Sequence, residues 1–409
     1  MGVMRAVWMW LLLLLAGCPA RESEPTSGTD GDMTSGGESS TGDPGGVDPG
    51  DVALLGCGQA AWVRVDPLAG AYSRVYATPD GGSVVSGHME DISGFVQGVL
   101  HRRGVDAQID YQHVGAAPFG SELAVAGVAD DGRYAVTETA FIDEVCEEEP
   151  FAGTVCTPIG THWLRMFGPD DALLWEKEDP QRAFRALGVD PEGRVVVADP
   201  LEVRRYAASG DIAWTRPIPD ATELTALAHD GGFFAFRYIA SPATIARLDA
   251  ELAVLWEVDP TTDFGIEGDN PPLYTLFAPV SDGGVAIAGI AVEGLRVIRL
   301  SPYGEELWRA ELDVGPTWES ALAAGPAGEV VVASLVPAPG GGVHGWLRLY
   351  GSDGVPSWTI ECAEARWFES LIVDSTGVLA AGRLDHGVTN SQAFLAKYAP
   401  DTPDRPFEP

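Results

Sequence analysis

Lysine is almost absent from this sequence: Lys177 and Lys397 are the only two. Schiff-base chemistry and a phosphate-binding P-loop therefore have almost no candidates, and no GxxxxGK[ST] occurs. Basic residues of both kinds number 25 against 60 Asp and Glu, and the net charge of −35 repels nucleic-acid phosphates and anionic lipid surfaces alike. A DNA or RNA partner is not expected. HExxH, CxxC, GxSxG and an EF-hand loop are also missing. The seven histidines, His88, His101, His113, His162, His229, His344 and His386, are scattered and read as solvated or structural groups, so no metal site is assigned.

The longest apolar run is at the start, in "MGVMRAVWMWLLLLLAGC". One basic residue, Arg5, precedes a run from Ala6 to Ala16 that is too short to span a bilayer, as in a cleaved export signal over residues 1–17. Leu15-Ala16-Gly17-Cys18 resembles the bacterial lipobox, which implies cleavage before Cys18 and lipidation of its thiol. Pro19 is not the Asp that retains members of that class in the inner membrane, so the expected address is the outer membrane of the cell envelope, periplasmic or surface-exposed. Residues 18–56 follow, rich in Gly, Ser and Asp, and from Arg21 to Asp51 they are nearly devoid of apolar side chains. Such a stretch cannot bury a core and is expected to be a tether. Its 31 residues from Arg21 to Asp51 reach on the order of 30 Å as a random coil.

Beyond the tether the sequence repeats itself. "LRMFGPDDALLW" (164–175), "VRRYAASGDIAW" (203–214), "IARLDAELAVLW" (245–256), "VIRLSPYGEELW" (297–308) and "LRLYGSDGVPSW" (347–358) share one pattern, and "LHRRGVDAQIDY" (100–111) is a weaker copy. Eleven residues before each closing aromatic stands an aliphatic, and eight before it a packing residue, with Arg103 the exception. That odd interval across a turn suits strands packed on both faces better than a helix. A second pattern alternates with the first, aligned on Gly82, Gly132, Gly193, Gly232, Gly284, Gly328 and Gly377, and each copy reads as a hairpin whose turn glycine takes positive φ. Together the two hairpins make a four-stranded unit, A-B then C-D.

Seven A-B copies spaced by about 49 residues predict an all-β, seven-bladed β-propeller over residues 57–400. The seventh C-D copy meets Pro403 and Pro406 in the Pro-rich tail 401–409, where its last strand should be, and proline cannot donate to a ladder. "AAWVRVD" (60–66) resembles the missing strand. Its pairing with 394–398 would close the ring. The closing aromatics Trp62, Tyr111, Trp175, Trp214, Trp256, Trp308 and Trp358 are expected to pack between blades because they recur in every one. On "QAFLAKYAPD", "LRLYGSDGVPSW" and "SLIVDSTGVLAAG" the chain resembles the bacterial seven-bladed-propeller repeat (SBBP type) and, more distantly, quinoprotein-like W-motif blades of the WD40/PQQ-like kind. The resemblance implies a propeller with a binding or scaffolding role and brings no catalytic residue.

In such a wheel the A-B and C-D turns lie on one face, and the B-C loops and D-A connections on the other. The turns are tight and the length falls on the second face: residues 141–160, 259–272, 336–346 and 383–392. Long loops on a rigid scaffold are where binding residues collect. The candidate binding residues are Asp143, Glu147, Glu148, Asp263, Glu267, Asp269, His344 and His386, and the acidic loops could take Ca²⁺ or a cationic partner, although solvated carboxylates are the plainer reading. Cys146 and Cys156 flank "EEEPFAGTV" within one loop and are expected to form a disulfide in an oxidising compartment. Cys57 and Cys362 fall at opposite ends of neighbouring D strands, on the order of 15–20 Å apart, so both are expected as thiols unless the tail folds back.

The expected function is a lipid-anchored, monomeric extracytoplasmic propeller that binds an envelope protein or glycan and touches the membrane only through its anchor. A quinoprotein-like dehydrogenase or a propeller hydrolase remains the alternative; either would need polar groups converging on the axis. The adjacent Cys-Cys pair carried by many quinoprotein dehydrogenases is missing from this sequence.

Overall fold

Short β-branched runs such as Val195–Ala198, buried along their whole length, alternate with Gly- and Asp-bearing turns, a pattern that forms strands packed on both faces. The computed structural model describes residues 60–90, 96–115, 117–118, 120–149, 153–179, 183–199, 201–238, 243–266, 275–291, 294–312, 320–337, 343–362, 366–385 and 391–399. The signal segment, Cys18, the tether, Cys57 and the tail lie outside the described residues.

Five antiparallel sheets of four strands form blades 2 to 6, each in sequence order across the sheet. The sixth sheet has seven strands, because the strand Ala60–Ala77 is shared. Its first part pairs with Ser391–Tyr398 as the outer strand of blade 7, from Ala60 opposite Tyr398 to Val65 opposite Phe394. Its second part pairs with Ser83–Glu90 as the inner strand of blade 1. The ring therefore has seven blades and closes as the sequence predicts. The closing strand does not stop at Asp66, however, but continues to a pairing of Ala69 with Gln392 and on into blade 1.

Seven hydrophobic clusters fill the seven joints between successive blades. Each contains one of the closing aromatics: Trp62 between blades 7 and 1, Tyr111 between 1 and 2, Trp175 between 2 and 3, Trp214 between 3 and 4, Trp256 between 4 and 5, Trp308 between 5 and 6, and Trp358 between 6 and 7. Three indoles also donate across the joint to the C-D turn of the next blade: Trp175 Nε1 to the Ala208 carbonyl at 3.0 Å, Trp256 to Pro302 at 2.8 Å and Trp308 to Ser352 at 3.1 Å. Glycines 210, 304 and 354 in those turns have φ of +85°, +82° and +79°. A Cβ there would also stand within 3 Å of the indole.

Two expectations need correction. In the three Gly-Gly A-B turns the positive φ falls on the first glycine, Gly81, Gly231 and Gly283, and not on Gly82, Gly232 or Gly284. The second glycine meets a different demand: a Cβ would come within 2.4 Å of the carbonyl of Arg103, Leu248 or Leu300 on the C strand. Secondly, Cys362 is disulfide-bonded and fully buried, not a thiol. The length of a D strand fixes how far apart its two ends are, but not the path of the chain before Ala60.

Candidate binding face

The features that rise above the wheel are on the B-C and D-A face. Residues 141–149 and 153–160, read from sequence as part of a loop, are strand: the B and C strands of blade 2, Tyr134–Glu149 and Gly153–Phe167, run on as a paired ribbon to Glu149 opposite Gly153. The inner strand of blade 2 stops pairing at Ser121 opposite Ala140, and the outer strand at Asp179 opposite His162. Beyond those residues the ribbon is an arm of two strands. Cys146 and Cys156 are directly opposite in its register, the backbone arrangement a cross-strand disulfide requires. In the register of the arm Asp143 stands opposite Ile159, Glu147 opposite Val155 and Glu148 opposite Thr154.

The D-A connection of blades 4 and 5 begins with a helical turn, Pro260–Phe264, that is capped at both ends. Asp259 Oδ1 accepts from the N–H groups of Thr261 at 2.8 Å and Thr262 at 3.2 Å, and Asp263 Oδ2 accepts from the Asp259 N–H at 2.8 Å. Both carboxylates, Asp263 among them a candidate binding residue from the sequence, are engaged in capping. His344 is 9% exposed in a strand, its Nε2 4.0 Å from Glu361 Oε2. Glu267, Asp269 and His386 lie outside the described residues. The structure thus places Asp143, Glu147 and Glu148 on one arm and sets Asp263 and His344 apart from it. No three His, Cys, Asp or Glu come together as a metal site among the described residues.

The same face carries three tryptophan–arginine stacks, with the guanidinium 5.3 Å (Arg165 on Trp163), 4.8 Å (Arg348 on Trp346) and 4.5 Å (Arg383 on Trp367) from the ring centre. Beside the root of the arm, between blades 2 and 3, lies a cleft of about 430 Å³. The B and C strands of blade 3, Val195–Ala198 and Glu202–Tyr206, turn back at once through an Asp199 N–H to Glu202 carbonyl bond of 2.9 Å, while those of blade 2 continue into the arm.

On the opposite face the sequence reading missed a repeated ion pair. A basic residue of strand C reaches an acidic residue of the A-B turn in its own blade: Arg102 to Asp80, Arg205 to Asp190, Arg247 to Asp230, Arg299 to Asp282 and Lys397 to Asp374. Burial opposes ionisation of Asp190 and Asp230, yet turn N–H groups and the guanidinium hold both below the usual carboxylate range. The signal was in the repeats, where the residue before the packing position is basic in these copies. Blade 6, whose turn is Gly-Pro-Ala-Gly, has Leu349 there instead.

Arg103, the exception in the pattern, belongs to a buried quartet at the closing joint. Tyr72 Oη is 2.8 Å from Asp66 Oδ2, 2.7 Å from Arg103 Nη2 and 2.7 Å from His101 Nδ1. Tyr72 has one proton to give, and the carboxylate is the acceptor-only neighbour, so His101 Nδ1–H donates to the phenol. His101 Nε2 is then a bare lone pair with no hydrogen-bond partner. Burial, helped by the Arg103 charge, pushes the His101 pKa down to about 4, against the attraction of Asp66.

No family model matches the chain, and no curated protein is similar to it. Among solved structures it is similar to the β-propeller domain of the Trilobed protease from Pyrococcus furiosus, described as having an open velcro topology (10% identity over 80% of this chain and 95% of that one, TM-score 0.49). It is also similar to a protein of unknown function from Bacteroides caccae (15% identity, 63% and 94%, TM-score 0.38) and to a eukaryotic initiation factor (11%, 77% and 72%, TM-score 0.39).

Proposed function

We propose that the chain is a lipid-anchored propeller of the cell envelope that binds a protein or glycan through the face carrying the blade 2 arm. The observation that carries this reading is the arm itself: a two-stranded ribbon on a rigid wheel is a poor stability element and a good reach extender. The N-terminal sequence supports the anchor. Ala60 starts opposite Tyr398, which pairs with Val378 beside the A-B turn, so the described chain begins at the short-turn face. A tether attached there leaves the arm pointing away from the membrane.

The test is a pull-down from native envelope with the chain from residue 52 onward, intact or with residues 141–160 shortened to a tight turn. Recovery of a partner by the intact arm alone supports the reading. Equal recovery by both moves the working surface elsewhere, the axial channel first. Loss of palmitate labelling in Cys18→Ser checks the anchor separately.

A further inference from the structure

We propose that the cleft between blades 2 and 3 is a binding site for an acidic sugar unit, with Lys177 receiving its carboxylate. The site stands apart from the arm, and the proposal goes beyond the reading above by assigning a ligand class.

Lys177 lies half-buried on the outer strand of blade 2, in the wall of the cleft. It makes no hydrogen bond or ion pair among the described residues, although Glu178 and Asp179 line the same cavity. The chain's other lysine, by contrast, holds both oxygens of Asp374, at 2.9 and 2.8 Å. Arg204, facing it from blade 3, is already committed: its Nε donates to Glu202 at 2.6 Å, and its Nη atoms are 3.6 Å from Asp179 and 3.5 Å from Asp199. Arg204 is thus shared among Glu202, Asp179 and Asp199, which leaves Lys177 as the uncommitted cation of the cleft, beside Glu178 and Asp211.

The remaining wall suits a sugar. Phe184, half-buried and packed against the core between blades 2 and 3, lines the cleft with an aromatic side chain, and buried Tyr206 lines it too, stacked on Trp175 at 6.0 Å. Asp211 is exposed and takes one hydrogen bond, from Ser209 at 2.8 Å, which leaves acceptor capacity for ligand hydroxyls. A volume near 430 Å³ lies in the range of small-ligand sites. The charge of −35 does not forbid an anion here, because at physiological salt fields are screened beyond about 8 Å and contact charges decide.

The test is calorimetric titration of the chain from residue 52 onward with trigalacturonic acid and with its neutral methyl ester. The acid should bind at least tenfold more tightly than the ester, Lys177→Gln should abolish that difference, and Lys177→Arg should keep most of it. Asp211→Asn should weaken acid and ester alike. Equal affinity for acid and ester, unchanged binding by Lys177→Gln, or no binding of the acid overturns the proposal. The arm-shortened chain should bind the acid normally, so failure here and failure of the arm reading are separable.

Discussion

Replacing His101 by Asn should make the wheel less sensitive to mild acid, and the size of the effect follows from the buried quartet. Asn keeps a donor where His101 Nδ1–H meets Tyr72 but cannot be protonated. In the native protein the imidazole is held neutral, with its pKa lowered from 6.5 to about 4 by burial and by Arg103. A histidine with a depressed folded pKa binds its proton more readily in the unfolded chain, so its contribution is intact above pH 6.5 and is lost as pH falls toward 4. Between pH 7.5 and 5 about 1.5 units are traversed, or about 2 kcal/mol at 1.36 kcal/mol per unit. The carboxylates held low by partners, Asp80, Asp190, Asp230 and Asp374, contribute little to this window because they stay ionised in both states. His113 and His162 are shifted in the same direction as His101, and Glu122 is raised by burial, but all three are common to both proteins and cancel in the comparison. The assay is urea unfolding of the chain from residue 52 onward at the two pH values. The native protein should lose about 2 kcal/mol more than the variant; equal losses would refute both the neutral tautomer and its isolation from solvent.

Gly354→Ala should lower stability by about 2 kcal/mol or more in thermal unfolding, because it adds left-handed strain and drives a Cβ to 2.7 Å from the Trp308 ring. Asp230→Asn should cost about 2 kcal/mol and Arg247→Met less, because the guanidinium is 1% exposed and the carboxylate 61% exposed; the reverse order would show that the Phe233 and Leu248 carbonyls, not Asp230, hold the arginine. Trp308→Phe should cost about 1 kcal/mol more than Trp358→Phe in urea, since the first removes an indole hydrogen bond and the second removes a buried N–H that has no partner.

The blade count was legible because the packing rule repeats: the same joint needs an aromatic near the start of each D strand and a tight turn, most often with a glycine, before it, and both leave a fixed spacing. Ring closure was legible for a related reason, since Pro403 and Pro406 could not supply the strand that Trp62 announces. What did not show was anything that depends on pairing outside one repeat. The arm read as a loop because "FIDEVCEEE" carries strand and acidic character together, and only the register of Cys146 with Cys156 shows the ladder continuing. The acidic residues of the 259–272 connection read as solvated groups or as ligands, and not as caps, because a capping carboxylate looks like either until the N–H groups of Thr261 and Thr262 are seen to point at one. Lys177 was noted for its rarity, but its lack of a partner among the described residues shows only once Arg204 and the neighbouring carboxylates are seen bonded to one another.

The ring on either side of blade 7 is fastened in ways the other blades do not need, and Trp358 and Arg103 are two signs of one cause. At three joints an indole is anchored by the next blade's C-D turn, and at two more an arginine two residues later does the work, Arg64 to the Asp106 carbonyl at 3.1 Å and Arg216 to that of Ala250. Blade 7 has no C-D turn, because its outer strand comes from Ala60–Val65, so Trp358 finds no carbonyl and its indole N–H is left without a partner. One joint further on, the strand that closes the ring turns within a few residues from blade 7 into blade 1. There Asp66, Tyr72, His101 and Arg103 tie the corner from both sides, with Arg103 also donating to the Ala107 carbonyl at 2.9 Å. A hairpin holds its two strands together through its own turn, whereas two strands far apart in sequence have only their ladder and the side chains beside it. The polar quartet occupies the one corner where the ring passes from its last strand to its first.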